Sequence, residues 1–473
     1  MKHYTKQFIA GEWREGRGTE LANYNPYSGE LLYTYKGASQ ADVDDAYQAA
    51  KTAAVEWGAT TPAQRVQMMK KLVPAFMELS EDIAAANLEE GGKTIGMARG
   101  EVFGLISAIE DSLRYPSMLN GTIMPSDTPG RESFGYRMPK GVISIISPWN
   151  LPFGLAVRYI MPAIACGNTV VLKPSSDTPA SGLIIAEAFE KAGFPAGVFS
   201  VVAGSGSEIG DYFVSHPVPA MISFTGSSAV GRRISELAGR SFKDTGLEMG
   251  GNNVMIVLSD ADIKRAAQSA IVGKFLISGQ VCMAINRFLV MDSVYDEFVS
   301  ELVALTSALK CGDPSDPAVF IGPLINNKQV RNVEKLVQET IAAGATIALE
   351  GKTEGNVISP WILTNVTNDM PTAANEVFGP VCSVIKVSRE EELVRLANDT
   401  EYGLSGCLWT SNVYHGIQLA KLIETGNMHI NDHPISAENH ALFGGEKASG
   451  RGRSGGQWFI NSFTKERMVT AHS

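Results

Sequence analysis

The sequence predicts an α/β fold with two consecutive sheet domains and a small projecting β hairpin. Residues 40 to 115 repeat Ala and Val at helical spacing, which indicates a helical N-terminal layer. From residue 139 onward, short β-branched runs alternate with helix-like stretches, as in parallel βαβ units. This alternation restarts after Glu248, so a second α/β domain is expected to begin near residue 250.

The elements follow in order along the chain. Helices are predicted for QADVDDAYQAAKTAAVEW and for AQRVQMMKKLVPAFMELSEDIAAANLEEGGK. The next segment, NGTIMPSDTPGRESFGYRMP, places turn residues between short β-like pieces and predicts the hairpin. The first sheet is expected to contain VISII, NTVVLK, VFSVVAG and AMISFTG, with SGLIIAEAFEKAG as a helix between strands. The second contains the strands NNVMIVL and RFLVMDS and the helices DIKRAAQSAIVGKFL and YDEFVSELVALTSAL.

Composition excludes several classes of function. The 473 residues include 44% apolar and 19% charged side chains, as in ordinary globular proteins. A net charge of -10 without a dense Lys/Arg run argues against a nucleic-acid partner. The apolar stretch between Gly141 and Leu172 is interrupted by prolines, and the first residues lack the unbroken apolar run of a secretory signal, so neither a membrane span nor a cleaved leader is expected. Five widely spaced cysteines without C-x-x-C favour a reducing, cytoplasmic compartment, and no metal site is predicted.

Cys282, in FLISGQVCMAINR, is a candidate nucleophile because it follows a Gly-Gln pair in a short polar stretch. A thiol needs a lowered pKa or an adjacent base for this role, whereas most free cysteines are small buried apolar residues. Glu248, in GLEMGGNN, stands beside glycines that allow close approach of the backbone to a ligand, although a lone glutamate is usually a surface charge. Asn150, in SPWNLP, follows a predicted strand and has the amide that an oxyanion requires, but the same pattern is typical of a turn.

Two glycine-rich loops are alternative dinucleotide sites. GSGSEIG follows a predicted strand, but its last glycine comes one residue too late for the usual fingerprint. FTGSSAVGRR is predicted to begin a helix at Gly226 and Ser227, where free backbone N–H groups can donate hydrogen bonds to a pyrophosphate. Lys173, in VLKPSSDTP, stands at the end of a predicted strand. One interpretation is that it binds ribose hydroxyls or a phosphate, and the alternative is that it is a surface lysine that ends the strand.

Taken together and in order, PWN, KPS, FTGS, LEMGG, GQVC, NEVFGPV and FGGEKASGRGR closely resemble the aldehyde dehydrogenase superfamily over essentially the whole chain. This resemblance implies NAD(P)-dependent oxidation of an aldehyde to its carboxylate through a thioester. It implies that Cys282 is the nucleophile, that Glu248 is the general base, and that Asn150 with the Cys282 backbone N–H forms the oxyanion hole. The implied cofactor-binding residues are Ser147, Trp149, Lys173, Ser176, Gly206, Gly226, Ser227, Gly250, Glu376 and Phe378, of which the last two hold the nicotinamide ribose and ring.

The resemblance also implies an organisation into domains. Residues 1–116 and 139–248 are expected to form a Rossmann-type NAD(P)-binding domain, and residues 249–445 an α/β catalytic domain. Residues 117–138 and 457–473 are expected to form a β oligomerisation arm, with a C-terminal strand near 458–470. A homodimer or homotetramer is therefore expected.

One departure from the family pattern concerns the cofactor. Ser176 stands three residues after the lysine of KPS, where many NAD-preferring members have a glutamate. Because the missing carboxylate removes repulsion against a 2′-phosphate, NADP is expected to be accepted along with NAD. Ser454 replaces another frequent glutamate, and the sequence offers no account of that change.

The substrate is expected to be an aromatic aldehyde, because SFTGSSAVGRRISELAGRSFKDTGLEMGGNN, FLISGQVCMAINR and NDHPISAENHALFGG are most similar to benzaldehyde and vanillin dehydrogenases. Arg158 is a candidate partner for a phenolate or carboxylate substituent, with a structural salt bridge as its alternative. The other predicted pocket residues are mostly apolar: Leu151, Gly154, Leu155, Val281 and Met283.

Four alternatives remain open from the sequence. An aliphatic-aldehyde or semialdehyde dehydrogenase of the same superfamily, or a CoA-acylating member, would share Cys282 and the cofactor site. A binding or structural protein would keep the fold without turnover. If GSGSEIG were the true fingerprint, hydride transfer would proceed without covalent catalysis.

Overall fold

The computed structural model describes residues 4–436 and 438–473. The chain begins with two antiparallel hairpins, which the sequence analysis did not predict, followed by the predicted helical layer. The first helix starts at a capping box in which Ser39 and Asp42 bond each other's backbone N–H groups. These elements are β1 (Gln7–Ile9), β2 (Glu12–Arg14), β3 (Glu20–Tyr24), β4 (Leu31–Lys36), α1 (Gln40–Ala59), α2 (Pro62–Lys70), α3 (Leu72–Glu78), α4 (Ser80–Glu89) and α5 (Ile95–Ser112).

The predicted hairpin and the first run of alternating strands and helices follow, as the sequence indicated. Every residue of the strand TVVLK is buried, because a central parallel strand is covered on both faces. The elements are β5 (Thr122–Met124), β6 (Arg131–Pro139), β7 (Val142–Ile146), α6 (Gly154–Ala165), β8 (Thr169–Lys173), α7 (Pro179–Lys191), β9 (Phe199–Val201), α8 (Asp211–Ser215), β10 (Met221–Thr225), α9 (Ser228–Gly239) and β11 (Asp244–Glu248).

A second run begins directly after Glu248, as predicted. Its elements are β12 (Asn253–Val257), α10 (Ile263–Phe275), β13 (Ile285–Met291), α11 (Asp292–Ser307), α12 (Asn327–Ala342), β14 (Thr346–Leu349), β15 (Thr353–Glu354), β16 (Val357–Ile358), β17 (Trp361–Thr364), α13 (Pro371–Ala374), β18 (Val381–Val387), α14 (Glu390–Asn398), β19 (Tyr402–Gly403), β20 (Gly406–Trp409), α15 (Val413–Ala420), β21 (His429–Ile430), β22 (Glu446–Lys447), β23 (Gly450–Arg451), α16 (Gly456–Phe463) and β24 (Thr464–His472).

Two mixed sheets organise the molecule. The first has the strand order β2-β1-β9-β8-β7-β10-β11-β23, and its five strands from β9 to β11 are parallel. The second has the order β14-β17-β18-β13-β12-β20-β21, with parallel pairing from β17 to β21. The carboxyl ends of β7, β8, β10 and β11 therefore meet along one edge, which is where ligands bind in open α/β sheets.

A third sheet forms the arm, in which β6 lies between β5 and β24. All nine residues of β24 pair with β6, from Thr464 opposite Pro139 to His472 opposite Arg131. The prediction that the C-terminal strand begins near residue 458 was wrong, because α16 occupies Gly456–Phe463. Burial of Phe459, Ile460 and Phe463 in the core beside α6 outweighs the strand propensity of these aromatic and β-branched residues.

The stretch from Gly141 to Leu172 comprises β7, a loop, α6 and most of β8. Across residues 4–436 and 438–473, no helix combines the length and apolar character needed to cross a membrane. Within the same residues, no group of three or more His, Cys, Asp and Glu side chains is arranged to hold a metal ion.

Candidate active site

A cavity of about 280 Å³ lies where the carboxyl edge of the first sheet faces the loops that precede the strands of the second. Three predicted catalytic residues, Asn150, Glu248 and Cys282, all line it although they are far apart in sequence. The complete lining is Pro148, Trp149, Asn150, Leu155, Thr225, Gly226, Ser227, Glu248, Met249, Gly250, Cys282, Gln329, Asn332, Glu376 and Phe378.

The loop before Cys282 has an unusual backbone. Ile277 and Ser278 have φ values of 50° and 57°, in the left-handed region that a β-branched residue rarely adopts. Gly279 follows with φ 79°, and a side chain there would overlap the Gly379 carbonyl. The Ser278 hydroxyl donates to the Gly322 carbonyl at 2.9 Å and so helps to hold this conformation. This strained backbone directs the Cys282 side chain into the cavity.

Hydrogen bonds also fix the backbone on the C-terminal side of Cys282. The Asn253 side-chain amide donates to the carbonyls of Cys282 and Ala284, at 2.7 and 2.9 Å. On the opposite wall, the Asn150 amide donates to the Gln280 carbonyl at 3.0 Å. Asn150 is therefore held beside the nucleophile loop, where an amide N–H can serve a developing oxyanion.

Cys282 differs from the other four cysteines because it alone lines this cavity. Burial raises the pKa of the Cys282 thiol to about 12, and the nearby charges of Glu376 and Glu248 act in the same direction. The sulfur therefore rests as a thiol, and its attack requires a group that takes its proton.

Among the described residues, Glu248, at the end of β11, is one of two carboxylates that line the cavity, together with Glu376. Its side chain is buried, and its Oε2 atom has no hydrogen-bond partner. Burial raises the pKa of Glu248 to about 8, although Arg158, the Tyr159 hydroxyl and Arg453 lower it. A carboxyl group with a pKa near 8 exchanges protons efficiently at physiological pH.

Several of the predicted cofactor residues form a cradle with little room for side chains. A Cβ at Gly226 would overlap the Phe224 ring, and one at Gly250 would overlap the Glu376 carboxylate. Helix α9 opens at Ser227 without any side-chain cap, so its first N–H groups remain available to an anion. These features fit the pyrophosphate of a dinucleotide.

At the other end of the cradle, Glu376 accepts a hydrogen bond from the Gly251 N–H at 2.9 Å. Burial raises the pKa of Glu376 to about 7, while Lys274 lowers it. The rings of Trp149 and Phe378 meet edge to face with centroids 5.5 Å apart. A carboxylate beside aromatic rings fits a ribose and a flat nicotinamide.

The remaining predicted cofactor residues lie outside the cavity lining, along the same sheet edge. Ser147 follows β7, and its buried hydroxyl has no partner. Lys173 ends β8, where burial lowers its pKa to about 8. Ser176 is exposed in the following loop, and Gly206 begins a π-helical turn after β9. The loop at 204–210 therefore lies at the same edge as Gly226 rather than forming a rival site elsewhere.

Of the predicted substrate residues, only Leu155 lines the cavity. Leu151, Val281 and Met283 belong to an adjacent apolar cluster, and the Gly154 N–H is bonded to Glu101. That cluster also contains Met97, Ile277, Leu276, Ala284 and Ile435.

Arg158 makes no ion pair within 4 Å of a carboxylate in the described part of the chain, so the salt bridge considered from sequence is absent. Its Nη1 atom donates to the Asn439 side chain at 3.0 Å. The guanidinium lies over the rings of Phe443 and Phe459, 5.4 and 5.7 Å from their centroids. Its Nη2 atom is buried without a partner.

Sequence reasoning missed several lining residues. Pro148, Thr225 and Met249 stand within or beside the recognised motifs, whereas Gln329 and Asn332 lie on α12. Gln329 donates to the carbonyls of Val377 and Phe378, each at 3.0 Å. No motif marks this helix, and only the packing of α12 against the loop reveals the role of Gln329.

Comparisons with known proteins give a consistent result. A family model described as "Aldehyde dehydrogenase family" matches residues 13–469. A vanillin dehydrogenase from Corynebacterium glutamicum is 44% identical over 98% of this chain and 97% of its own length. A benzaldehyde dehydrogenase from Bacillus subtilis is also 44% identical, over 98% of this chain and 96% of its own. The crystal structure of an NAD-dependent benzaldehyde dehydrogenase from Corynebacterium glutamicum is 42% identical, with a TM-score of 0.91, and covers 99% of this chain and 97% of its own.

Proposed function

Because the chain belongs to the aldehyde dehydrogenase family, we propose that it oxidises an aromatic aldehyde, of the benzaldehyde or vanillin type, to the carboxylic acid. The observation that carries this proposal is the convergence of Cys282, Glu248 and Asn150 on one cavity beside a dinucleotide cradle. Vanillin and benzaldehyde dehydrogenases among the relatives support the aromatic substrate.

In the first stage, the Cys282 sulfur attacks the aldehyde carbon and forms a thiohemiacetal, while Glu248, which lines the same cavity, takes the thiol proton. The Asn150 amide and the Cys282 backbone N–H donate to the oxyanion. When bound, NAD(P) accepts the hydride that leaves this carbon. A thioester on Cys282 remains.

Before the second stage, Glu248 releases the thiol proton to solvent. It then takes a proton from a water molecule, whose oxygen attacks the thioester carbon. The carbon–sulfur bond breaks, the carboxylic acid leaves, and Glu248 returns the proton to the sulfur. The raised pKa of Glu248 makes it a stronger base than an ordinary surface glutamate. Hydrolysis rather than transfer to CoA is therefore the proposed fate of the acyl group.

The cofactor is proposed to be NAD or NADP. Exposed Ser176 adds no negative charge near the adenosine ribose, and Lys173 stands at the preceding strand end. Relatives include an NADP-dependent glyceraldehyde-3-phosphate dehydrogenase from Streptococcus equinus, which is 38% identical, as well as the NAD-dependent benzaldehyde dehydrogenase. Both cofactors are therefore expected to support turnover.

The substrate-binding wall is proposed to comprise Leu151, Leu155, Val281 and Met283, whose apolar side chains suit a flat ring. Arg158 is proposed to receive a phenolate or carboxylate substituent, because its buried Nη2 atom lacks a partner. A semialdehyde with a terminal carboxylate would use the same arginine. Substrate preference must therefore be measured.

The test is a panel of benzaldehyde, vanillin, an aliphatic aldehyde and a semialdehyde, each assayed with both cofactors and with and without CoA. We expect the aromatic aldehydes to have the highest kcat/KM, the products to be free acids, and CoA to leave the rates unchanged. A Cys282→Ala variant should be inactive with every substrate. Aromatic aldehydes oxidised far more slowly than aliphatic ones would overturn the substrate class.

We further propose a cytoplasmic homodimer or homotetramer. All five cysteines are free, which suits a reducing compartment. The β5-β6-β24 sheet exposes apolar side chains that suit contact with another subunit. In domain terms, we propose that residues 1–116 and 139–248 bind the cofactor, that residues 249–445 carry the nucleophile, and that residues 117–138 with the strand Thr464–His472 form the arm.

A further inference from the structure

Helix α6 begins directly after the turn that contains Asn150, and a carboxylate from another helix holds its start. The Gly154 N–H donates to Glu101 Oε1 at 2.7 Å. Phe153, at the capping position, has no side-chain oxygen to offer. Glu101, on α5, therefore supplies the acceptor and the negative charge that the first turn of a helix favours.

Glu101 is itself fixed by a buried lysine. Lys93 Nζ lies 2.6 Å from Glu101 Oε2 and donates to Asn87 Oδ1 at 2.9 Å. The Lys93 and Glu101 side chains are only 1% and 5% exposed. Burial lowers the pKa of Lys93, whereas the charge of Glu101 raises it. The two carboxylate oxygens therefore have separate partners, one on the lysine and one on α6.

This clamp adjoins residues that line the cavity. Asn150 precedes the bonded Gly154 N–H by four residues, and Leu155 follows it directly. A Cβ on Gly154 would lie 3.2 Å from Glu101 Oε1, so the carboxylate approaches the backbone more closely than most side chains allow. Glu101 therefore holds the backbone at the end of the turn that carries Asn150.

We propose that Glu101, held by Lys93, is a positioning residue for the reaction proposed above: its carboxylate sets the start of α6 and thereby the placement of the Asn150 amide. This inference rests on the proposed function, in which Asn150 donates to the oxyanion. Glu101 is not among the residues that line the cavity, so its proposed effect passes through the backbone that carries Asn150.

The test is a double-mutant cycle between Glu101→Gln and Asn150→Ala, with a benzaldehyde and NAD as substrates. A glutamine cannot both accept from the Gly154 N–H and face the Lys93 ammonium with an oxygen, so one contact is lost. Because small misplacements of a catalytic group can cost about a hundredfold, Glu101→Gln should lower kcat about ten- to a hundredfold with KM changed less than about threefold. In the Asn150→Ala background, Glu101→Gln should lower kcat less than about twofold.

Asp42→Asn is the matched control. Asp42 is also a buried carboxylate that caps a helix and is paired with a cation, Arg17, but it lies outside the cavity lining. The Asp42→Asn substitution should lower Tm to about the same extent as Glu101→Gln and leave kcat unchanged. Glu101→Asp is a second variant that keeps the negative charge opposite Lys93, so it should fold, but its shorter side chain does not reach the Gly154 N–H. Its kcat should fall as that of Glu101→Gln does.

The outcomes separate the two proposals. A wild-type protein that oxidises no aldehyde overturns the proposed function. If the wild type is active, two results overturn the positioning role alone. One is that Glu101→Gln lowers kcat by the same factor in the wild-type and Asn150→Ala backgrounds. The other is that Glu101→Asp retains wild-type kcat. An Asp42→Asn variant with an equal loss of kcat would overturn the positioning role as well.

Discussion

Three titratable side chains line the cavity, and burial raises the pKa of each. It raises the pKa of Cys282 to about 12, of Glu248 to about 8 and of Glu376 to about 7. The cause is the same in each case, because a low-dielectric site disfavours the negatively charged form. In the proposed reaction, proton transfer between Cys282, Glu248 and water is therefore part of the chemistry rather than complete beforehand.

Hydrolysis of the thioester should depend on the ionisation of Glu248. Only the deprotonated carboxylate accepts a proton from water, so we expect the rate of acid release to rise with pH through about 8 and to be lost progressively below it. Glu248→Gln should slow both the burst of reduced cofactor and steady-state turnover, by about 10²- to 10⁴-fold, because the same carboxylate is proposed to take the thiol proton and the water proton. Stopped-flow absorbance of the reduced nicotinamide measures both phases. A variant with steady-state turnover close to wild type would exclude Glu248 as the base.

Cofactor choice should depend on the charge at residue 176. Ser176→Glu places a carboxylate where the resemblance locates the adenosine ribose, and its repulsion should lower kcat/KM for NADP about tenfold or more. The NAD reaction of the same variant is the internal control and should change little. An NADP reaction unaffected by this substitution, or a wild type with a thousandfold preference for NAD, would contradict the role given to Ser176.

At the scale of elements, loops held by remote side chains shape the site. The nucleophile loop has left-handed residues at Ile277 and Ser278, and the cofactor loop has another at Phe378, with φ 51°. Such conformations persist only where the surroundings impose them. For Phe378, the restraint comes from Gln329 on α12, which is bonded to the backbone carbonyls of Val377 and Phe378.

Gln329→Ala should loosen the cofactor loop. The loss of two hydrogen bonds, at about 1 kcal/mol each, predicts a rise in the cofactor Kd of about five- to thirtyfold. Quenching of protein fluorescence on titration with NAD measures it. Gln338→Ala, at an exposed position of the same helix, is the control and should leave the Kd unchanged. Equal affinities for the two variants would show that Phe378 needs no support from α12.

At the scale of the whole molecule, the arm presents an apolar stripe to solvent. Ile123 pairs with Phe134, which pairs with Val469, so the three share one face of the sheet. Tyr136 lies two residues further along the same face, and its ring contacts Phe134. Ile123 is 80% exposed and Tyr136 51% exposed. A three-stranded sheet with such a face gains stability when a second subunit covers it.

Charges on this stripe should weaken assembly. The double variant Ile123→Lys/Val469→Lys should reduce the molar mass measured by light scattering after gel filtration, because two buried ammonium groups oppose an apolar interface. Thr470→Lys, on the opposite face of β24, is the control and should retain the wild-type mass. A double variant of unchanged mass would place the subunit contact elsewhere.

Much of this protein follows from its sequence, because helices, strands and motifs are encoded in contiguous residues. Helical spacing and runs of β-branched residues located α1, α7, α10 and α11 and the central strands of both sheets, and motifs such as PWN and LEMGG identified the family and its candidate catalytic residues. The resemblance placed the start of the C-terminal strand too early, because residues 456–463 form a helix whose Phe459, Ile460 and Phe463 are buried in the core.

Only the tertiary structure decided that Asn150, Glu248 and Cys282 line one cavity, that Gln329 supports the cofactor loop, and that Glu101 reaches the start of α6. It also decided the raised pKa values of Cys282 and Glu248, which arise from desolvation by packed neighbours. The physical reason is that distance and burial depend on how segments far apart in the chain pack together, and no local pattern records that packing.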